Sequence, residues 1–528
     1  MRYLFFCLLG LLLADMRQCS SPPGANGQSA AASEANTIAA AKPPEPIGPY
    51  IQALLDTTAA GSTPAADARL QLLAGPAVRR FYAEAQPAWT LPADSLAPPA
   101  RTALQLLAHA DDFGLLRTDY HWPRLQALRD SLARRSTARQ QARLEVYLTD
   151  ALLHLMRDLH RGKLHPYTLS AREIAAKKPL PVEVLLRQGV QAQQVRETVE
   201  ACQPRNREYR QLQRALQAWL RRPVASNPDS AAVHQSRFRQ VAINLERWRW
   251  GTFPDSEYVL INLPAYELYL VKQDSLQRRH HVIVGKPITP SPTLSSRITH
   301  FTLAPDWHVP NSIATKELLP MLRRNPAAFV NNNYSIYNRQ GTPVNPYQVN
   351  WYRVSAQNFP YTIRQSSGCD NALGNIVFRF PSPYSVYLHD TPMRGAFALP
   401  VRALSHGCIR LAQPMQLAAY LLRRDGKQLR LPSESECARQ TQPKDIWLRR
   451  PLPIHIRYLT CAAEQGQLRF YPDIYRRDAS IRKAFFGQSS SLYSFERRTT
   501  KKPRPWPGLC LNKHTLPMYL PRALPKNG

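Results

Sequence analysis

The sequence predicts an α+β, multidomain chain in which an all-helical N-terminal half is followed by a mainly-β sandwich. Two changes of rhythm carry this reading. From Ile51 to about Arg222 apolar residues recur at helical spacing, as in Leu148, Leu152, Leu155, Met156 and Leu159, with Gly162 placed as a C-terminal cap. From Tyr258 onward the period becomes two: Tyr258 to Leu263, Glu267 to Val271 and His280 to Val284 read as short strands separated by turn residues. A chain of 528 residues has room for two or three such domains.

Taken in order, residues 1–24 read as a signal segment: Met1-Arg2 precedes the apolar run Tyr3 to Ala14, too short to span a bilayer comfortably. Cys19, before Ser20-Ser21, sits where a lipidated cysteine would, although Arg17-Gln18 lack the small residue expected ahead of it; lipidation, ordinary cleavage and a retained anchor all stay open. Residues 25–47, rich in Ala, Ser, Gly and Pro, form a flexible linker. The helical domain spans 48–222 and closes with Tyr209, Leu212, Leu216, Trp219 and Leu220, a stripe suited to a core. Residues 223–254 read as a linker carrying Asn244-Leu245-Glu246-Arg247-Trp248-Arg249-Trp250. The β domain occupies 255–478, interrupted at about 310–358 by a proline- and asparagine-rich excursion with a helical stretch at Thr315 to Arg324; Met415 to Arg424 is a helix entered through Pro414. Residues 479–528 form a basic tail. From Arg482 to Gly528 ten Lys/Arg face one Glu, a net of +9, which predicts poor order.

A net charge of +32 is the footprint of nucleic-acid binding as well as of an anionic envelope. The arginines are spread along the whole chain, no recognised nucleic-acid motif occurs, and the signal segment takes the protein away from the nucleoid, so no nucleic-acid partner is expected. The eight cysteines show no pairing by spacing. Neither Cys-x-x-Cys nor His-x-x-x-His occurs, so no zinc or other metal and no cofactor is expected.

The chemistry concentrates in Ser405-His406-Gly407-Cys408-Ile409-Arg410 and Tyr387-Leu388-His389-Asp390-Thr391. A thiol is a poor nucleophile at its free pKa, but a nearby imidazole can take its proton and return it to a leaving amine, which points to acyl transfer through Cys408 and His389. Glycine before the cysteine permits a sharp turn, so amides around Gly407 and Cys408 could face a developing oxyanion. Ser385 to His389 reads as a strand with Tyr387 and His389 on one face and Leu388 in the core. Asp390 then points away, and a backbone carbonyl is the expected orienter of His389. Cys369 and His281, by contrast, read as an ordinary buried cysteine and a satisfied histidine.

These motifs resemble the L,D-transpeptidases of bacterial cell-wall synthesis, and most closely the large periplasmic branch of that family. Further blocks in order are the Asn244 to Trp250 segment, Val284-Gly285-Lys286-Pro287, Trp307 to Ile313, Arg364-Gln365, Asn371 to Gly374, Tyr387 to Pro392 and Arg402 to Leu411. Phe81-Tyr82, Trp89 and Tyr147 to Gly162 are similar to the scaffold domain of the same branch. The resemblance implies a helical scaffold, a β-sandwich catalytic domain with a capping insertion over the cleft, and two acyl transfers. Cys408 would attack the amide joining the third stem residue, normally meso-diaminopimelate, to D-Ala, and His389 would protonate the departing D-Ala. A neighbouring stem amine would resolve the thioester into a 3→3 cross-link. Tyr387, His406 and Gly407 would form the oxyanion and substrate environment, while Ser405 and Arg410 support the loop, Arg410 as an ion pair or carbonyl clamp. For Arg364 and Asn371 only membership of a block is implied.

The implied partners are peptidoglycan stem peptides, other cell-wall synthesis enzymes and an optional membrane anchor, in the periplasm or cell envelope. Carbapenems are expected to acylate Cys408. The small three-helix peptidoglycan-binding module of many relatives is not recognisable between Ala201 and Asn244, which leaves glycan anchoring unassigned. The alternatives are an L,D-carboxypeptidase, an enzyme attaching proteins to peptidoglycan, or a non-catalytic wall-binding scaffold.

Overall fold

In the helical half, Ala138–Arg161 is the central helix. Thr137 caps it by accepting from the Gln140 amide, and Gly162 ends it at φ +84°. Its residues from Leu144 to Leu159 are buried on nearly every side because Gly48–Leu55, Gly75–Phe81, Pro98–Ala108, Trp122–Arg134 and Val182–Gln191 all pack against it. Within this core the Glu145 carboxylate accepts from the amides of Ala88, Trp89 and Thr90 and from the Tyr82 hydroxyl. That contact fixes the small hairpin of β1 (Thr90–Leu91) and β2 (Ser95–Leu96). The computed structural model describes residues 45–487 other than 57–62, 85, 92–94, 135, 165–178, 224–226, 252–254, 434–435 and 437–441. The expectations for the signal segment, nearly all of the linker at 25–47 and the tail beyond 487 fall outside the described residues.

The stretch 223–254, expected as a linker, contains the 23-residue helix Pro228–Trp250. Asn227 caps it and Pro228 occupies its first turn. The apolar stripe that would announce a helix is missing from its exposed first half; the buried residues run from Val241 to Arg249. This second half is the joint of the molecule. The Asn244 side chain accepts from the Thr460 amide and donates to the Thr460 hydroxyl. Arg247 pairs with Asp478 at 2.7 Å. Arg249, wholly buried, lies 3.6 Å from the equally buried Glu246, donates to Tyr209 at 3.1 Å and caps the Phe113 carbonyl. The short helix Asp478–Phe486 follows, so the start of the supposedly disordered tail is ordered, with Phe485 buried in the helical core.

The β half contains β3 (Glu257–Asn262), β4 (Glu267–Lys272), β5 (Ser275–Gly285), β6 (Leu294–Leu303), β7 (Trp307–His308), β8 (Tyr334–Tyr337), β9 (Pro343–Val344), β10 (Thr362–Gln365), β11 (Ile376–Arg379), β12 (Leu388–His389), β13 (Ala403–Ser405), β14 (Ile409–Leu411), β15 (Lys444–Arg457), β16 (Cys461–Glu464) and β17 (Gln467–Phe470). The main sheet runs β13-β5-β14-β12-β11-β6-β15-β3-β4, and β4 also pairs with the first half of the long β5, closing the strands into a ring. Its opposed walls pack Val259, Ile261, Leu268, Phe301, Phe378, Leu388 and Ile409 inward, as the two layers of a sandwich do, and Pro414–Arg424 covers one end. The excursion from Pro310 folds on its own apolar cluster around Leu322, Phe329 and Ile363. It carries the sheet β7-β10-β8-β9 and so reaches Gln365, beyond the expected limit near 358.

Removing one partner of a buried ion pair strands the other charge, so Arg249→Ala should lower unfolding free energy by about 3–5 kcal/mol in urea titration; a change under about 0.5 kcal/mol would contradict the role of this joint. A second test uses Asp158, which accepts from Tyr120 at 2.9 Å and whose burial pushes its carboxyl up to about 7. The folded state therefore holds this proton more tightly than the unfolded chain. Its stabilising contribution is complete below the ordinary carboxyl range and is lost as pH rises through about 7. Asp158→Asn should flatten the decline in stability between pH 5 and pH 8, read from denaturation curves at each pH.

Candidate active site

A two-residue parallel ladder brings the motif residues together. In it β12 pairs with β14, Leu388 opposite Ile409 and His389 opposite Arg410, and the Ile409 amide donates to the Tyr387 carbonyl at 2.9 Å. Side chains alternate across a sheet, so Leu388 and Ile409 enter the core while Tyr387, His389, Cys408 and Arg410 share the outer face. The expected strand from Ser385 is shorter than predicted. Ser385 sits at φ +51° and only Leu388–His389 are laddered, because the Pro381 to Tyr384 turn delays entry into the sheet.

His389 is buried, and its Nδ1 donates to the Asp390 carbonyl at 2.5 Å; the Leu373 carbonyl also faces the ring. The orienter is thus a backbone carbonyl. The Asp390 carboxylate turns the other way to accept from the Asn375 amide. Burial, then the Arg410 cation, push the His389 imidazolium down to about 3, so the ring is neutral at rest. Burial raises the Cys408 thiol, and the Tyr387 amide and Arg410 oppose that only in part. The resting pair is therefore thiol and imidazole, not thiolate and imidazolium.

The loop is held by its own hydroxyl. Ser405 Oγ donates to the Cys408 carbonyl at 2.5 Å and accepts from the Gly407 amide at 3.1 Å. The Gly407 carbonyl accepts from Ser291 at 2.7 Å, and Gly407 itself takes φ +119°, which favours glycine. The Gly407 amide is consequently engaged and is no free oxyanion donor, contrary to the expectation for it. Among the described residues the Cys408 amide has no hydrogen-bond partner and is the donor that remains. Among the described residues Arg410 forms neither the ion pair nor the carbonyl clamp expected of it: its Nη1 touches Met393 Sδ at 3.5 Å, and its buried Nε has no partner there.

His406 is exposed and its Nε2 lies 2.6 Å from Glu317 Oε1. Glu317 belongs to a π-helical turn, Ala314–Leu318, inside the capping insertion, and the hydrogen bond from His406 holds its carboxyl below the usual range. Sequence spacing gave no sign of Glu317, which comes from a separate substructure. Asn371 ties the turn that presents Leu373: it donates to the Gln365 and Ser366 carbonyls and accepts from the Leu373 amide. Arg364 stacks on Tyr337 at 4.9 Å within the cap. Cys369, read as buried, is exposed and disulfide-bonded, while Cys202, Cys408 and Cys461 are free. His281 is exposed, near the Phe397 carbonyl.

Residues 256–431, which include every one of the motif residues, match the model of the L,D-transpeptidase catalytic domain, and residues 76–216 match that of the scaffold domain. A Haemophilus influenzae protein named "Putative L,D-transpeptidase" is 31% identical over 297 residues, 56% of this chain and 58% of that protein. The chain thus spans little more than half the length of that relative. Among solved structures, the Ldtfm-avibactam carbamoyl enzyme is 12% identical over 39% of this chain and 51% of its own, with a TM-score of 0.20. An L,D-transpeptidase from Mycobacterium smegmatis is 14% identical over 38% and 58%, also with a TM-score of 0.20. Likenesses so slight support no conclusion. The two domain matches do: the chain carries an L,D-transpeptidase catalytic domain at residues 256–431 behind a scaffold domain at residues 76–216.

Proposed function

We propose that this protein is an L,D-transpeptidase that forms 3→3 cross-links between peptidoglycan stems through a thioester on Cys408. The observation that carries the reading is the parallel ladder that puts a neutral imidazole and a thiol on one face, Cys408 in register with Tyr387 and so diagonal to His389. With Nδ1 committed to the Asp390 carbonyl, the other ring nitrogen is the base. It takes the thiol proton as sulfur attacks the carbonyl of the third stem residue. The tetrahedral oxyanion then meets the Cys408 amide. Collapse breaks the bond to D-Ala, whose amine leaves with the proton from His389. The side-chain amine of a second stem, deprotonated by the same ring, attacks the thioester and restores the thiol. One amide is exchanged for another, so no external energy source enters.

Arg410 supports this cycle. Its cation, on the same face, favours thiolate over thiol and disfavours a resting imidazolium. Exported, envelope-associated action is part of the proposal and is supported by the signal-like start of the sequence and the net charge of +32.

Wild type incubated with disaccharide-tetrapeptide should release D-Ala and yield cross-linked dimer by mass spectrometry, and Cys408→Ala should yield neither. Monomeric tripeptide alone would move the reading to an L,D-carboxypeptidase. A carbapenem should add covalently to wild type and not to the variant. Because burial raises the thiol, alkylation of free enzyme by iodoacetamide should be slow at pH 7 and climb about tenfold per pH unit through pH 9. A plateau below pH 7 would reveal a resting thiolate and contradict the proton inventory given above.

A further inference from the structure

The outer face bearing Cys408 continues across the sheet as one row of side chains. Register places Cys408 beside Tyr387, Tyr387 beside Arg379, Arg379 opposite His300 and His300 opposite Trp447. The contacts follow the register. The Arg379 guanidinium lies 4.9 Å over the Tyr387 ring, and His300 stacks on Trp447 with centroids 4.0 Å apart and planes 23° apart. The residues between these positions, Phe301, Phe378, Leu388 and Ile446, face the core, so the row owes its exposure to alternation alone. Trp447 remains 59% exposed although its strand is central. Lys427 grips its carbonyl, and the ladder shifts register just past it. Exposed tryptophan on a rigid strand, continuous with a catalytic centre and beyond the matched catalytic-domain segment at 256–431, calls for an occupant.

We propose that the Trp447–His300 pair is a glycan subsite, on which a sugar ring of the donor stacks while its stem peptide runs along Arg379 and Tyr387 to Cys408. Length selects the sugar over the peptide. Four strand spacings separate Cys408 from Trp447, about 19 Å. The three stem residues from the scissile carbonyl back to the stem's N-terminus reach about 10 Å. The sugars attached beyond that point are what arrives over the far end of the row. Stacked on one another, the two rings hold the indole in place and leave much of Trp447 exposed, an apolar surface for the C–H face of a pyranose, and Arg379 lies midway, where the stem's free carboxylates pass. The subsite would supply the glycan anchoring that the sequence leaves unassigned. The identity of the ligand rests on the transpeptidase reading; the row itself does not.

The test is calorimetric titration of the inactive Cys408→Ala protein with disaccharide-tetrapeptide and with the sugar-free tetrapeptide. The sugar-bearing ligand should bind at least fivefold tighter. Adding Trp447→Ala or His300→Ala should abolish that preference without weakening sugar-free binding, and Trp447→Phe should keep most of it. Equal affinity for the two ligands, no measurable binding of the sugar-bearing one, or a preference that survives both alanine variants would overturn the subsite. D-Ala release by enzyme with Cys408 intact is scored separately. Its absence with both ligands would count against the transpeptidase reading while the sugar preference, measured without turnover, still decides the subsite.

Discussion

Everything chemical in this protein depends on two residue pairs, Leu388 with Ile409 and His389 with Arg410. Parallel pairing is unusual between segments so close in sequence, since the chain must cross over before it can run in the same direction. Here the crossover is the exposed stretch from Pro392 to Val401, followed by β13. Its reward is positional. The alternate residues of two adjacent strands deliver the His389 imidazole, the Cys408 thiol and the Arg410 cation to one surface, while Leu388 and Ile409 anchor the same strands in the core. A slip of one residue would turn His389 inward and Leu388 outward, so core packing and the geometry of the candidate site are fixed by the same register.

The motif was legible because its residues are contiguous, and so was the alternation that puts Tyr387 and His389 on one face. The backbone carbonyl that orients His389 followed from that alternation too, since it left the Asp390 carboxylate facing away. What escaped was supplied from a distance. Glu317 reaches His406 from a separately folded insertion, and Arg379 reaches Tyr387 only through the sheet order. The engaged Gly407 amide escaped for a different reason. A serine two residues back looks like loop support in a sequence, and its hydroxyl's choice between donors is a matter of ångströms. The helix Pro228–Trp250 was missed because half of it is solvated and shows no stripe.

That helix explains how two structural halves behave as one. Its last two turns place Asn244, Glu246, Arg247 and Arg249 against the helical core, the Thr460 turn and the Asp478 helix at once. Polar side chains at a junction specify geometry more strictly than apolar ones, since each must find its own partner. The helical half thereby packs against β3, the neighbour of the strand β15 that carries Trp447.

The contact between Glu317 and His406 has a further consequence for how the cleft responds to its surroundings. Both side chains are partly exposed, and such pairs contribute about 0–1 kcal/mol. At the upper limit this biases the cap towards the catalytic loop only about fivefold. The pair therefore tethers the insertion to the loop of Cys408 only lightly, and ions in the medium weaken that tether further by screening. The spacing between the insertion and the Cys408 loop is thus graded by ionic strength rather than fixed, so that the salt content of the medium sets how firmly these two separately folded parts hold together.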